Sequence, residues 1–261
     1  MKPWNVILLS SLLPPLSSLR SRAFALLEVL VVIVVLGLLA ALLLPALGRS
    51  RIAAQRVQCL SNQRQLALAG QLYWDEHEGN SFPYRGAATN GGDVYWFGWL
   101  QRGPEGTRAF DQSQGALAPY LGPANVGLCP GLNYALSNFK RKAVGAAYGY
   151  GYNLHLSSPA GSPPVNVARL PRPSSTAFLA DAAQVNDFQP PASPEHPMLE
   201  EFYYVNTGEP TAHFRHARKA NVVFLDGHAG AEDWVPGSLD RKLPGHHVAR
   251  LRPEILDTAH P

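Results

Sequence analysis

Four polar side chains in the C-terminal part of the sequence could bind a metal ion. Asp181 and Asp226 offer carboxylate oxygens, while His216 and His228 offer imidazole nitrogens, and both are common metal ligands. Their spacing matches no established motif, because the sequence has no H-E-x-x-H, G-x-S-x-G, Walker loop or paired C-x-x-C. The alternative makes Asp226 a turn residue and His216 a hydrogen-bonding group at a strand end. We favour this alternative and expect no metal, no cofactor and no enzymatic activity.

The two cysteines, Cys59 and Cys129, leave three possibilities open. They could form a disulfide if this part of the chain lies outside the reducing cytoplasm. They could instead be buried free thiols, or one of them could be a reactive thiol, which would need a nearby base that the sequence does not identify. We favour a structural bridge over free thiols, and free thiols over chemistry.

Composition divides the 261 residues into two parts. Apolar residues are concentrated at positions 24–47, whereas positions 79–261 hold most of the 23 glycines and 23 prolines, which is typical of a turn-rich, sheet-containing domain. The formal net charge is only +3, and the basic residues are scattered along the chain. The sequence therefore has no basic patch for nucleic acid, and we exclude nucleic-acid binding.

Residues 24–47 form an apolar run with a single ionisable side chain, Glu28. As a helix the run would be roughly 36 Å long, enough to cross a bilayer core of about 30 Å. A carboxylate within such a segment costs a few kcal/mol and is usually functional or paired. The alternative is a Glu28 close enough to the membrane surface to stay hydrated. The run predicts a retained membrane anchor in either case.

The start of this run has a recognisable pattern of residues. Arg22 and Ala23 are a basic residue and a small residue that precede Phe24, and Glu28 is the fifth residue counted from Phe24. This pattern resembles a prepilin processing site. The family usually has glycine where this chain has Ala23. The resemblance implies cleavage by prepilin peptidase between Ala23 and Phe24, N-methylation of Phe24, and pairing of Glu28 with the N-terminal amine of a neighbouring subunit. Pro45 stands near the end of the run, where pilins commonly have a helix-kinking proline.

The remaining elements are expected to follow a pilin-like plan. Residues 48–78 contain no proline and are rich in helix formers, with Gly79 as a stop signal, so we predict that the membrane helix continues as an amphipathic helix. We expect Ile52, Val57, Leu60 and Leu72 to lie against a sheet. Residues 1–23 are then a leader, 24–47 a transmembrane segment, 48–78 the helical continuation, and 79–261 a β-rich periplasmic or extracytoplasmic domain.

Six short segments of residues 79–261 have strand character. They are residues 94–100, 147–153, 176–181, 202–206, 221–225 and 228–234. Asp226-Gly227 between the last two predicts a two-residue type I′ hairpin, and the proline-rich residues 184–201 predict a long surface loop. The fold class is therefore α+β, with a long N-terminal helix packed on an antiparallel sheet.

The order of several further marks strengthens the resemblance to pilin-like proteins. Cys129-Pro130, the Tyr-Gly-Tyr-Asn of residues 150–153, the strand-like residues 176–181, and His216 followed after nine residues by Asp226-Gly227 occur in the order found in a large group of them. The resemblance also implies a bridge between Cys59 and Cys129 on the periplasmic side.

Two functions from different classes follow. The first is a structural subunit of a type II secretion pseudopilus or a type IV pilus-like assembly in the inner membrane. Its partners would be itself or other pilin-like subunits, prepilin peptidase and the assembly platform. The second is a single-pass, membrane-anchored ligand-binding or enzymatic domain that uses aromatic residues such as Trp96, Trp99 and Tyr150.

Overall fold

A computed structural model describes residues 26–122, 126–145, 147–158 and 161–258. The leader and the proposed cleavage residues Ala23 and Phe24 lie outside these ranges. The chain divides into two compact units, residues 1–47 and residues 48–261. We describe each unit by itself.

Helix α1 (Leu26–Glu76) is the principal helix of the protein. It contains Pro45, which a long helix can accommodate. It ends where Glu78 and Gly79 adopt positive φ angles of 56° and 81°, and the amide of Gly79 donates to the carbonyl of Trp74 at 2.7 Å. This is a glycine-terminated helix end, so Gly79 is the stop signal that the sequence predicted.

Within residues 26–47, α1 has an apolar surface apart from Glu28. Its large apolar side chains are between 48% and 85% exposed. The helix is long and apolar enough to cross a membrane, judged by length and composition.

The second unit contains the strands and a short C-terminal helix. In the described ranges the strands are β1 (Arg85–Thr89), β2 (Gly92–Tyr95), β3 (Gly98–Gln101), β4 (Phe110–Asp111), β5 (Phe139–Lys140), β6 (Tyr150–Asn153), β7 (Ala177–Asp181), β8 (Gln184–Asn186), β9 (Met198–Glu200), β10 (Tyr204–Val205), β11 (Ala212–His213), β12 (Ala220–Phe224), β13 (Ala229–Glu232) and β14 (Val248–Ala249), and the helix is α2 (Pro253–Leu256).

The largest sheet has five strands in the order β10-β6-β7-β12-β13. Its pairs are antiparallel except β10 with β6. All residues of β7 and β12 are buried, because both faces of the sheet are covered. Val223 faces the cluster that includes Leu66 of α1, while its neighbours Val222 and Phe224 face a second cluster with Leu251. This alternation is the two-residue period of a strand.

The described part of the second unit also contains three smaller sheets. Strands β1 to β4 form an antiparallel meander, β11 pairs with β14, and β5, β9 and β8 form a mixed three-stranded sheet. The α+β prediction is therefore confirmed at the level of one long helix with sheets that are mostly antiparallel.

The face of α1 that meets the five-stranded sheet differs from the prediction. Ile52, Val57 and Leu72 are 51%, 66% and 44% exposed, and Leu60 is only half-buried. The buried face instead consists of Cys59, Asn62, Gln63, Leu66, Ala67, Ala69, Gly70 and Trp74. Small side chains lie on this face because the helix packs close to the sheet. A polar side chain such as Gln63 is accommodated there because it forms hydrogen bonds with the sheet.

Three strand and turn predictions were also wrong in detail. Residues 94–100 form two strands, β2 and β3, because the buried pair Trp96 and Phe97 occupies a turn. In the β12–β13 turn only Gly227, and not Asp226, has positive φ, and the Gly227 amide donates to the Phe224 carbonyl. The turn is therefore longer than a two-residue type I′ turn. Residues 184–201 contain β8 and β9, so they are not one surface loop.

Gly70 marks the closest approach of α1 to the sheet. A Cβ atom at this position would lie 2.7 Å from Cε1 of Phe178, whose ring is fully buried. We expect Gly70→Ala to lower the free energy of unfolding by about 1 to 3 kcal/mol, since the added methyl overpacks the core. Gly48→Ala is the control, because nothing lies within 4 Å of that position. Urea denaturation should find the control neutral or slightly stabilised; equal stability of the two variants would contradict the close packing.

Candidate functional site

A disulfide joins α1 to the segment that precedes β5. Cys59 and Cys129 are both fully buried, 70 residues apart in sequence, with Cα atoms 4.9 Å apart. The bridge expected from the sequence is thus present. The hydroxyl of Tyr150 on β6 also donates to the carbonyl of Cys59 at 3.2 Å. This part of α1 is therefore held by a covalent bond to the segment before β5 and by a buried hydrogen bond to β6.

His216 lies against this disulfide. Its Nε2 atom is 3.4 Å from Sγ of Cys129 and 3.5 Å from Oδ2 of Asp181. The ring also packs on Gly131, where a Cβ atom would come within 2.7 Å of Cε1. Only a glycine leaves room for the imidazole at this position.

The environment of His216 keeps its imidazole neutral. Burial lowers the pKa of His216, and the positive charges of Arg215 and Arg56 lower it further, against the opposing effect of Asp181. A neutral imidazole has one nitrogen with a free lone pair. The side chain can therefore accept a hydrogen bond or bind a metal ion at neutral pH.

Asp181, at the end of β7, is a buried carboxylate that binds several polar groups around it. Its Oδ1 accepts hydrogen bonds from Nη2 of Arg215 at 2.8 Å and from Nε2 of Gln63 at 3.3 Å. Its Oδ2 accepts from the amide of Asn221 at 2.8 Å. Asp181 is fully buried and the Arg215 side chain is only 3% exposed. A buried ion pair with these additional hydrogen bonds offsets much of its desolvation cost.

The two other candidate metal ligands lie elsewhere. Asp226 and His228 follow β12, whereas Asp181 contacts Asn221 near its beginning. Nδ1 of His228 is 2.6 Å from Oδ1 of Asp226, and both side chains are partly exposed. The structure therefore separates the four candidates into two pairs, Asp181 with His216 and Asp226 with His228.

The sequence did not indicate a second buried ionic cluster around β5 and β9. Glu200 is fully buried and binds Lys140 at 2.6 Å and Asn186 at 2.9 Å. Lys140, itself 1% exposed, also pairs with Glu105. Burial would raise the pKa of Glu200, but the charge of Lys142 and the hydrogen bond from Lys140 outweigh it, so the pKa is lowered. Lys140 and Glu200 are 60 residues apart and neither belongs to a motif, so no local signal marks this cluster.

The first part of α1 is a candidate site of a different kind. Glu28 is in its first turn, among apolar side chains that are about half exposed or more. An apolar helical surface of this extent needs lipid or other apolar helices around it. The arrangement is consistent with a single membrane span.

Two of the three aromatic residues expected to bind a ligand are in the core. Trp96 is 1% exposed and Tyr150 is fully buried, and Trp99 is half-buried with its indole N–H donating to the carbonyl of Thr89 at 2.9 Å.

Scans against protein-family models, curated proteins and solved structures found no match to the chain.

Proposed function

We propose that this protein is a structural subunit of a pilin-like assembly, of the type II secretion pseudopilus or type IV pilus class. The observation that carries the proposal is α1 (Leu26–Glu76). Its first part offers only apolar side chains and Glu28, and its later part is the helix on which a sheet domain is built. One element thus supplies both an association surface and a support for an outer domain.

In this proposal the apolar part of α1 holds the chain in the inner membrane before assembly. Prepilin peptidase removes residues 1–23 and leaves a methylated amine on Phe24. The Cys59–Cys129 bridge supports a position of the second unit outside the cytoplasm, because disulfides persist in oxidising compartments. Neighbouring subunits, of this or another pilin-like chain, then pack helix against helix on an assembly platform.

Glu28 has a defined role in this proposal. Its carboxylate pairs with the amine of Phe24 on a neighbouring subunit, where the low dielectric of the membrane strengthens the attraction between opposite charges. Such a pair fixes the register between adjacent helices. A simple membrane anchor has no need of it.

The alternative, an anchored ligand-binding or enzymatic domain, has less support. It depended on aromatic residues available to a ligand, and Trp96 and Tyr150 pack within the core. The four candidate metal ligands also form two separate pairs. Neither the buried aromatic residues nor the separated ligand pairs support this alternative.

Processing tests the proposal. We expect co-expression with a prepilin peptidase to shorten the chain by its leader, with the cut between Ala23 and Phe24. Ala23→Gly, which restores the residue usual in the family, should be cut at least as fast as the wild type. An Ala23→Arg variant should stay full length, because the small residue before the cut is lost. A chain whose length is unchanged by the peptidase, in wild type and Ala23→Gly alike, would contradict the proposal.

A further inference from the structure

We propose that the reduced form of this protein binds a thiophilic divalent metal ion, of the zinc class, through Cys59, Cys129 and His216. The two cysteines would then either form the disulfide or bind the metal at one buried site. The inference does not depend on assembly into filaments.

The positions of the ligand atoms carry the inference. The two Sγ atoms and an imidazole nitrogen of His216 all lie within 4.8 Å of one another. Zinc bonds of about 2.3 Å to sulfur and about 2.0 Å to nitrogen place tetrahedral ligands roughly 3.5 to 3.8 Å apart. The 3.4 Å between Cys129 Sγ and His216 Nε2 is close to this separation. The two sulfurs, bonded at present, have to move apart to reach it.

Reduction would supply the remaining donors. A dithiol reductant gives two electrons and two protons to the bridge, leaving thiols on Cys59 and Cys129 and an oxidised reductant. Zinc binding then releases both thiol protons, because thiolates are the ligands. The resulting set of two sulfurs and one imidazole is typical of zinc sites. No other change in oxidation state is required.

Asp181 and Arg215 suit this site by position and charge. Asp181 Oδ2 lies 3.5 Å from His216 Nε2, so its carboxylate stands beside the imidazole, next to the three candidate ligands. Two thiolates and one carboxylate carry three negative charges, while a divalent ion and Arg215 carry three positive charges. The buried site would therefore be neutral overall, which limits the cost of burying its charges.

The ion also has a path of entry. His216 lines an open groove of about 540 Å³ beside α1, together with Ile52, Arg56, Leu60 and Ala217. These residues all belong to the second unit. We expect the ion to enter through this groove, past the imidazole of His216.

Cobalt(II) provides the test, with the full chain in detergent micelles. We expect the dithiol-reduced wild type to develop a sulfur-to-cobalt charge-transfer band and tetrahedral d–d bands that stoichiometric Zn²⁺ removes. The oxidised wild type is the matched control and should show neither. His216→Gln should weaken cobalt affinity by about tenfold or more, since losing even a supporting group of a metal site costs 10- to 100-fold. His228→Gln, which alters an exposed histidine, should not change it.

Several results would overturn the inference. One is a reduced, folded wild type with no charge-transfer band. Another is a His216→Gln variant, folded by circular dichroism, with unchanged spectrum and affinity, because this would assign the metal to the thiols alone. If reduction unfolds the second unit, Zn²⁺ should restore its circular dichroism, and failure to do so would also refute the site.

Discussion

Glu28→Leu should reduce self-association of the mature chain by about 30-fold or more while leaving membrane insertion intact. Removing one member of a buried charge pair at an interface costs about 2 to 5 kcal/mol, and about 1.4 kcal/mol corresponds to tenfold in affinity. Insertion should persist, since leucine only increases the apolar character of residues 24–47. Crosslinking in membranes, quantified against total chain, measures the association.

Two further variants separate charge from packing at this position. Glu28→Asp keeps the carboxylate and should retain part of the association, whereas Glu28→Gln keeps the size and should lose most of it. Equal assembly of Glu28→Leu and wild type would end the pairing hypothesis. Strong assembly of Glu28→Gln would show that a hydrogen bond is enough and that the charge is not needed.

Loss of the Cys59–Cys129 bridge should lower the free energy of unfolding of the second unit by about 4 kcal/mol. The bridge spans 70 residues, and a loop of that length closed by a disulfide restricts the unfolded chain by about this amount. The change is large against the 5 to 15 kcal/mol that typically stabilises a domain. Urea denaturation of oxidised and reduced wild type measures it with every side chain unchanged.

A Cys59→Ala/Cys129→Ala double variant serves as the second comparison. It should resemble the reduced wild type in metal-free buffer, apart from the effect of the smaller side chains. A midpoint within error of the oxidised wild type, for either sample, would contradict a stabilising role for the bridge. Zinc should stabilise the reduced wild type but not the double variant, which links this experiment to the proposed metal site.

The elements with strong local signals were predictable from the sequence. The apolar run and the absence of proline from residues 48–78 predict a long helix, and the stop at Gly79 places its end near the observed last residue, Glu76. Strands β7 and β12 have the apolar character of buried strands. These signals depend on residues that are close together in the chain.

The features that were missed depend on residues distant in sequence. Which face of α1 meets the sheet is decided by packing of Gly70 on Phe178 and by the position of Cys59, not by the placement of Ile52 or Val57. His216 meets Cys129 across 87 residues, and Lys140 meets Glu200 across 60. No periodicity or spacing encodes such contacts. The candidate residues could be named from the sequence, but their pairing required the fold.

The most direct test of the central claim is the mass of the N-terminal peptide of the mature protein, purified from its native membrane. We predict a peptide that begins at Phe24 and is heavier than its unmodified sequence by one methyl group on the α-amine. An N-terminus that retains the leader, or one that begins beyond Leu47, would contradict a pilin-like subunit.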